Sequence, residues 1–216
     1  MSPEQAAAPP RLQVLAYTDY KSPYAFVASA ATKALALSYP LDLVWRPYTL
    51  RIAEYLGSVE DRSVHNWRRV RYAYMDARRL ANRQGLTLKG PRRIYHGELA
   101  SLGMLFAQRE GFFPAYHDST FERFWRHDLD IDDMTQMREH IGALGGDADA
   151  FERYATGEGV PEHRAIVEEA EARGVFGVPT LIFQGETFWG GDRIDLARQA
   201  IEQALLARAP RTSRGA

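Results

Sequence analysis

The chain has 216 residues, a hydrophobic content of 45% and a formal net charge of −1, which is enough for one sizeable core or for a core with an inserted subdomain. The near-neutral charge gives no reason to expect nucleic acid or an anionic membrane as a partner, and no apolar run reaches transmembrane length. Because the chain contains no cysteine, a disulfide scaffold and a disulfide oxidoreductase activity are excluded.

Residues 1–11 lack the apolar segment of a secretory signal, so we expect a cytoplasmic protein. The six histidines are scattered, and none forms a His-x-x-x-His pair with a helical acid, so we expect no metal site. The glycine-containing stretches at 142–146 and 157–161 follow no predicted strand, so a phosphate-binding loop is not predicted either.

The first structural signal is a strand that leads into a helix. Residues 12–18 are apolar and β-prone, and a helix-compatible run covers residues 25–37. Ser22 and Pro23 lie between them, and serine before proline is a favoured helix start. The free N–H groups and the positive dipole end of such a helix predict an anion site beside Ser22.

The next segments predict a β-α-β unit followed by helices. Residues 41–46 alternate as a second strand that ends before Pro47, and a parallel crossover of this kind is almost always right-handed. Sheet character is then absent for more than a hundred residues. Helices are predicted at 67–84, 99–108, 115–125, 134–144, 149–156 and 161–173.

The sheet resumes near the end of the sequence. Residues 178–183 predict a strand, 184–186 a tight turn and 187–189 a hairpin partner. A last helix is predicted from Asp192 to residue 207, with Asp192 as its N-cap in the simplest interpretation. The order predicts an α/β thioredoxin-like fold at 12–60 and 162–207, with an all-helical insertion at 61–161 and loose tails at 1–11 and 208–216.

Three motifs carry a resemblance to a known family: S-P-Y at 22–24, G-V-F-G-V-P-T at 174–180 and W-G-G-D-R at 189–193. A partial fourth motif lies on the predicted helix at 67–84, with Arg69, Tyr72, Asp76, Arg79 and Ala81. From about residue 14 to 205 the chain resembles the 2-hydroxychromene-2-carboxylate isomerases and the kappa-class glutathione transferases, of the DsbA-like thioredoxin superfamily.

The resemblance implies glutathione as the cofactor. Ser22 would be the catalytic residue, and its hydroxyl would donate to the glutathione sulfur. The cofactor-binding residues would be Pro23, Tyr24, Ser58, Val178, Pro179, Gly191 and Asp192. Pro179 would be cis, the Val178 backbone would pair with the cysteinyl unit, and Asp192 would meet the γ-glutamyl ammonium. A helix cap at Ser22 and an ordinary proline at 179 are the plainer alternatives.

The chain departs from the family at two of these positions. Gly191 stands where relatives carry serine or asparagine, which removes a side-chain contact and keeps the backbone donor. Ser58 stands where the isomerases carry asparagine, and its hydroxyl has a shorter reach.

Substrate contacts are predicted from aromatic and basic residues. Candidates for the wall of a flat acceptor site are Tyr20, Tyr24, Phe26, Tyr48, Tyr72 and Trp189, although core packing explains each of them alone. Arg69 and Arg83 are candidates for an acceptor carboxylate, with a solvated helix face as the alternative.

The predicted function is a homodimeric, glutathione-dependent isomerase that acts on an aromatic or unsaturated small molecule by thiolate addition and elimination. One alternative is a kappa-like glutathione transferase that releases a conjugate. Another is a non-catalytic thioredoxin-fold module that binds a peptide or protein partner.

Overall fold

The protein is built around a four-stranded mixed sheet. The computed structural model describes residues 11–52 and 62–208. Strands β1 (Leu12–Thr18), β2 (Leu41–Pro47), β3 (Thr180–Phe183) and β4 (Glu186–Trp189) lie in the order β2-β1-β3-β4. Strand β1 runs parallel to β2 and antiparallel to β3, and β4 forms a hairpin with β3. This is the predicted thioredoxin-like sheet.

The helices lie between β1 and β2, between β2 and β3, and after β4. They are α1 (Pro23–Ser38), α2 (Val64–Arg83), α3 (Glu98–Glu110), α4 (Phe113–Arg126), α5 (Met134–Ala143), α6 (Ala148–Thr156), α7 (Gly159–Ala172) and α8 (Ile194–Arg208). Within the described residues between β2 and β3, the regular structure is helical throughout. In the part of the chain described, no helix is both long and apolar enough to span a membrane.

Both faces of the sheet are buried, and the side-chain alternation of the strands separates two cores. Val14 and Ala16 pack with Phe183 against α1 and α8. Leu15 and Tyr17 point to the other face and share a core with the helices between β2 and β3. A one-residue slip of β1 would exchange the two sets, so the alternation fixes the register.

The helical region is therefore packed onto the sheet. Helix α7 crosses the predicted boundary at 161/162 and contacts β2 through an ion pair between Arg46 Nη1 and Glu169 Oε2 at 3.2 Å. The division into a thioredoxin-like domain and an insertion stays a prediction.

Several predicted boundaries differ from the structure by one to three residues, and two of the differences affect the candidate site. Strand β3 begins at Thr180 rather than at residue 178. The last helix begins at Ile194, after a 3-10 turn at Gly191–Arg193. Gly190 enters that turn with φ 108° and ψ 149°, and no side chain caps the turn. Asp192 is therefore inside the turn and is not the N-cap of α8.

Candidate functional site

The sheet topology brings three of the sequence motifs to one edge. The register pairs Thr18, at the end of β1, with Pro47, at the end of β2. It also pairs Tyr17 with Thr180, at the start of β3, and Thr180 with Trp189, at the end of β4. Ser22, the Val178–Pro179 segment and Gly191 each follow or precede one of these strand ends by a few residues. The candidate site is at this edge of the sheet.

Ser22 is the N-cap of α1. Its φ of −83° and ψ of 117° are those of an extended cap residue, and Pro23 occupies the first turn. Ser22 Oγ accepts a hydrogen bond from the Ala25 N–H at 3.2 Å, and the residue is 4% exposed. This bond uses the oxygen as an acceptor only. The hydroxyl proton remains available for an anion placed at the helix N-terminus.

Tyr24 connects the S-P-Y motif with α2. Its hydroxyl donates to Asp76 Oδ2 at 3.1 Å, so two of the sequence motifs meet in space. Burial, followed by the hydrogen bond to Asp76, raises the pKa of Tyr24 to about 12. Tyr24 is therefore a neutral donor at physiological pH. Its hydroxyl is directed to Asp76 in this structure, while Tyr72 on the same helix is exposed.

Val178 and Pro179 precede β3, and the peptide bond between them is cis, the geometry that the family motif implied. The Pro179 carbonyl accepts from the Gly190 N–H at 2.9 Å, which ties this segment to the chain that follows β4. Neither the N–H nor the C=O of Val178 forms a hydrogen bond to another described residue. An extended ligand backbone can pair with both groups.

Gly191 and Asp192 lie beside the second turn of α1. A Cβ built on Gly191 would be 3.3 Å from Ala28 Cβ, so glycine lets the 3-10 turn approach α1 closely. The Asp192 carboxylate is exposed and lies 3.6 Å from Arg193 Nη1. Among the described residues this carboxylate forms one weak surface pair, and it therefore remains available for a ligand ammonium.

The predicted aromatic wall is only partly present. Tyr20 and Phe26 are buried and pack against Phe121 on α4, so they belong to the core. Tyr48 is also buried, and burial raises its pKa. Trp189 is 47% exposed and remains a candidate for substrate contact.

Sequence reasoning missed Phe176. This residue is 56% exposed, and its ring lies 4.7 Å from the Trp189 ring, centroid to centroid, at 59°. The two rings form an exposed apolar surface next to Val178. The signal was present in the sequence, since Phe176 lies between Val175 and Gly177 inside the G-V-F-G-V-P-T motif.

Helix α2 is strongly basic. It carries six arginines and one acidic residue, Asp76. Arg69 and Arg83, the two candidates for carboxylate recognition, are exposed and form no ion pair with any residue in ranges 11–52 and 62–208. The predicted contact residue Ser58 lies outside the described residues.

The edge of the sheet therefore presents donors for an anion at Ser22, a free backbone donor and acceptor at Val178, and a carboxylate at Asp192. No group of three or more metal-binding side chains occurs among the described residues. The same edge also carries a buried ion pair, Asp19 with Lys21, that sequence reasoning missed. The sequence feature that could have indicated this pair is the presence of two charged residues in the otherwise mostly apolar segment before Ser22.

Comparisons with known proteins agree with this architecture. The chain is 26% identical to a 2-hydroxychromene-2-carboxylate isomerase of Pseudomonas putida over 189 residues, 86% of this chain and 92% of that protein. It is 26% identical to the enzyme of the same name from Sphingobium xenophagum over 183 residues, 83% and 92% of the two chains.

A solved structure of a 2-hydroxychromene-2-carboxylate isomerase aligns with a TM-score of 0.77 and 25% identity, covering 92% of this chain and 98% of that one. The model of the DSBA-like thioredoxin domain matches residues 13–202. The chain belongs to the DSBA-like thioredoxin domain family.

Proposed function

We propose that the protein is a glutathione-dependent isomerase of the 2-hydroxychromene-2-carboxylate isomerase type. The observation that carries the proposal is Ser22, a buried hydroxyl that caps α1 and keeps its proton free. The relatives named as isomerases support the reaction class. The absence of cysteine means that any thiol in the reaction comes from a ligand.

The residues present fit the sulfur, the cysteinyl backbone and the γ-glutamyl group of glutathione. The sulfur would lie at the N-terminus of α1, where free N–H groups and the Ser22 hydroxyl favour its anionic form. The cysteinyl N–H and C=O would pair with the two backbone groups of Val178. The γ-glutamyl carboxylate would meet the backbone donors near Gly191, and its ammonium would meet Asp192.

When bound, glutathione would supply a thiolate that adds to an electrophilic carbon of the substrate and then leaves. The chain's own contribution is electrostatic and geometric. Ser22 donates a hydrogen bond to the sulfur, and the dipole of α1 stabilises negative charge at the same point. The anchors at Val178 and Asp192 would hold the cysteinyl and γ-glutamyl units of the ligand and so fix the sulfur relative to the substrate.

On the substrate side, the rings of Phe176 and Trp189 offer an apolar surface for a flat molecule. The arginines of α2 offer partners for a carboxylate, which the relatives' substrate name includes. Arg69 and Tyr72 lie on the same helix as Asp76, which Tyr24 joins to α1. These residues would orient an aromatic carboxylate over the sulfur.

The direct test is turnover of 2-hydroxychromene-2-carboxylate, with and without glutathione, followed by absorbance and by titration of free thiol. We expect isomerisation that requires glutathione and leaves its total concentration unchanged. Stoichiometric loss of free thiol with a thioether product would establish a transferase instead. Glutathione binding without turnover of this or other electrophiles would overturn the enzyme proposal and favour the binding module.

A further inference from the structure

The turn between β1 and α1 contains an ion pair that is almost fully removed from solvent. Lys21 Nζ lies 2.6 Å from Asp19 Oδ2, and the side chains are 5% and 0% exposed. Burying two charges carries a large desolvation penalty before their attraction is counted, so such a pair is weak evidence for stability alone. Its position, immediately before Ser22, points to a different role.

Asp19 organises the turn that presents Ser22. Its Oδ1 accepts from the Lys21 N–H at 3.1 Å, and its main-chain carbonyl accepts from the Ser22 N–H at 3.0 Å. The residue therefore fixes the backbone on both sides of Lys21. The main-chain bond is open to any residue at position 19, so the bond from the Lys21 N–H to the carboxylate is the part of this turn that requires an acceptor side chain.

The same carboxylate reaches the chain that follows β2. Asp19 Oδ2 accepts from the Leu50 N–H at 2.7 Å, and the Tyr48 N–H donates to the Thr18 carbonyl at 2.8 Å. The turn before Ser22 is thus tied to the segment that leads toward residue 58. Asp19 therefore links the turn before Ser22 to the described residues that follow β2.

Lys21 extends the network to the helical region. Its ammonium donates to the His96 carbonyl at 2.8 Å. A Cβ on Gly97, whose φ is +76°, would lie 3.1 Å from Lys21 Nζ. The Asp132 carboxylate holds the other side of this turn, accepting from the Gly97 N–H at 2.7 Å. The ammonium therefore lies between the Asp19 carboxylate and the turn at His96 and Gly97, which is fixed by its hydrogen bonds to Asp132.

We infer that Asp19 and Lys21 are positioning residues for the proposed sulfur site, acting through the Ser22 hydroxyl. The inference rests on the proposed function. The pair is electrically neutral as a unit, so it places Ser22 without adding net charge beside the thiolate. Removing it would let the Ser22 turn relax and weaken the hydrogen bond to sulfur.

The test is a double-mutant cycle with bound glutathione. The variant Asp19→Asn/Lys21→Met removes both charges together, so no unpaired buried charge remains to block folding. We expect it to raise the pKa of the bound thiol by about one unit, part of what loss of a hydrogen bond to a charged group would cause. In a Ser22→Ala background the same change should produce no further shift, because the hydroxyl through which it acts is gone.

The matched control is Lys33→Met/Asp118→Asn. This exposed pair also joins α1 to the helical region, and its removal should leave the thiol pKa unchanged. If the buried double variant does not fold, Asp19→Asn/Lys21→Gln also removes both charges and keeps an amide donor for the His96 carbonyl, which Lys21 Nζ contacts at 2.8 Å. It should give a shift of the same sign.

Equal thiol pKa values in the wild type and the folded variants would overturn the inference. It would also be overturned if removal of the pair shifted the thiol pKa as much in the Ser22→Ala background as in the wild type. These outcomes differ from failure of the proposed function. In that case the wild-type protein itself would bind no glutathione, or would bind it with an unshifted thiol pKa.

Discussion

The Ser22→Ala variant gives the most direct test of how the site would treat a thiol. A free thiol has a pKa of about 8.5, so only about 3% is ionised at pH 7. A helix N-terminus contributes roughly 0.3–2 kcal/mol to an adjacent anion. A hydrogen bond to a charged group contributes about 1.5–3 kcal/mol. At 1.36 kcal/mol per pKa unit, together they lower the bound-thiol pKa by about one to three units.

Removing the hydroxyl leaves the helix dipole in place. We expect Ser22→Ala to raise the bound-thiol pKa by about one to two units. From a wild-type value near 6.5, the ionised fraction at pH 7 would fall by roughly 3-fold to 25-fold. Glutathione should still bind, because the proposed anchors at Val178 and Asp192 are unchanged. The measurement is a pH titration of thiolate absorbance with bound glutathione.

The pH dependence of glutathione affinity gives an independent check. Because the bound-thiol pKa lies below that of the free thiol, the bound state holds fewer protons between the two values. Affinity should therefore rise with pH across that window and level off above about pH 8.5. In Ser22→Ala the pKa values of the free and bound thiol should lie closer together, so glutathione affinity should depend less on pH. Calorimetry at several pH values measures this change.

A structural loss must be separated from the chemical one. Ser22 also caps α1, and losing a serine cap costs about 0.5–2 kcal/mol of stability. Ser63 is the matched control, since its Oγ accepts from the Asn66 N–H at the same 3.2 Å as Ser22 Oγ from Ala25. Ser63→Ala should lower stability similarly and leave the thiol pKa unchanged. Coincident titration curves for wild type and Ser22→Ala would refute the reasoning.

Three further results are expected. Asp192→Ala should weaken glutathione binding by roughly 1.5–3 kcal/mol, with little loss of stability because Asp192 caps no helix. Asp195→Ala is the control, and equal glutathione affinity of the wild type and Asp192→Ala in calorimetry would contradict the anchor. Phe176→Ala should weaken binding of an aromatic substrate by about 0.5–1.5 kcal/mol, which raises its KM by roughly 2-fold to 13-fold, without changing glutathione affinity. An unchanged KM would exclude the aromatic surface. Burial lowers the pKa of His117 to about 3. Between that value and about pH 6.5 only the unfolded state is protonated, so the free energy of unfolding falls by up to about 1.4 kcal/mol for each unit of acidification. His117→Gln should reduce the difference in stability between melts at pH 5 and pH 7.

The sequence was sufficient for the architecture because local patterns encode it. The nearly continuous apolar runs in 12–18 and 178–183 predict strands with two buried faces, and β1 and β3 are buried in this way. The Ser22–Pro23 helix start is also local, since cap and first turn are adjacent in the chain. The absence of cysteine excludes a disulfide oxidoreductase from the sequence alone.

The tertiary structure decided which of the predicted residues meet. Tyr24 and Asp76 are 52 positions apart, and only the packing of α2 against α1 joins them. Whether Asp192 caps a helix depended on the Gly190 backbone, which no local preference for aspartate reveals. Phe176 lies inside the G-V-F-G-V-P-T motif and is exposed, whereas Phe26 lies two residues after the S-P-Y motif and is buried. The residue type alone did not distinguish the two.

The Asp19–Lys21 pair shows the same limit most clearly. A turn with one acid and one base ordinarily places both in water, where they interact weakly. Here the Leu50 N–H and the His96 carbonyl arrive from segments 31 and 75 residues away and complete their hydrogen bonds. The sequence determined that a helix N-terminus with a serine cap follows β1. Only long-range packing decided that two buried charges hold this cap, because burial and partners are properties of the assembled chain.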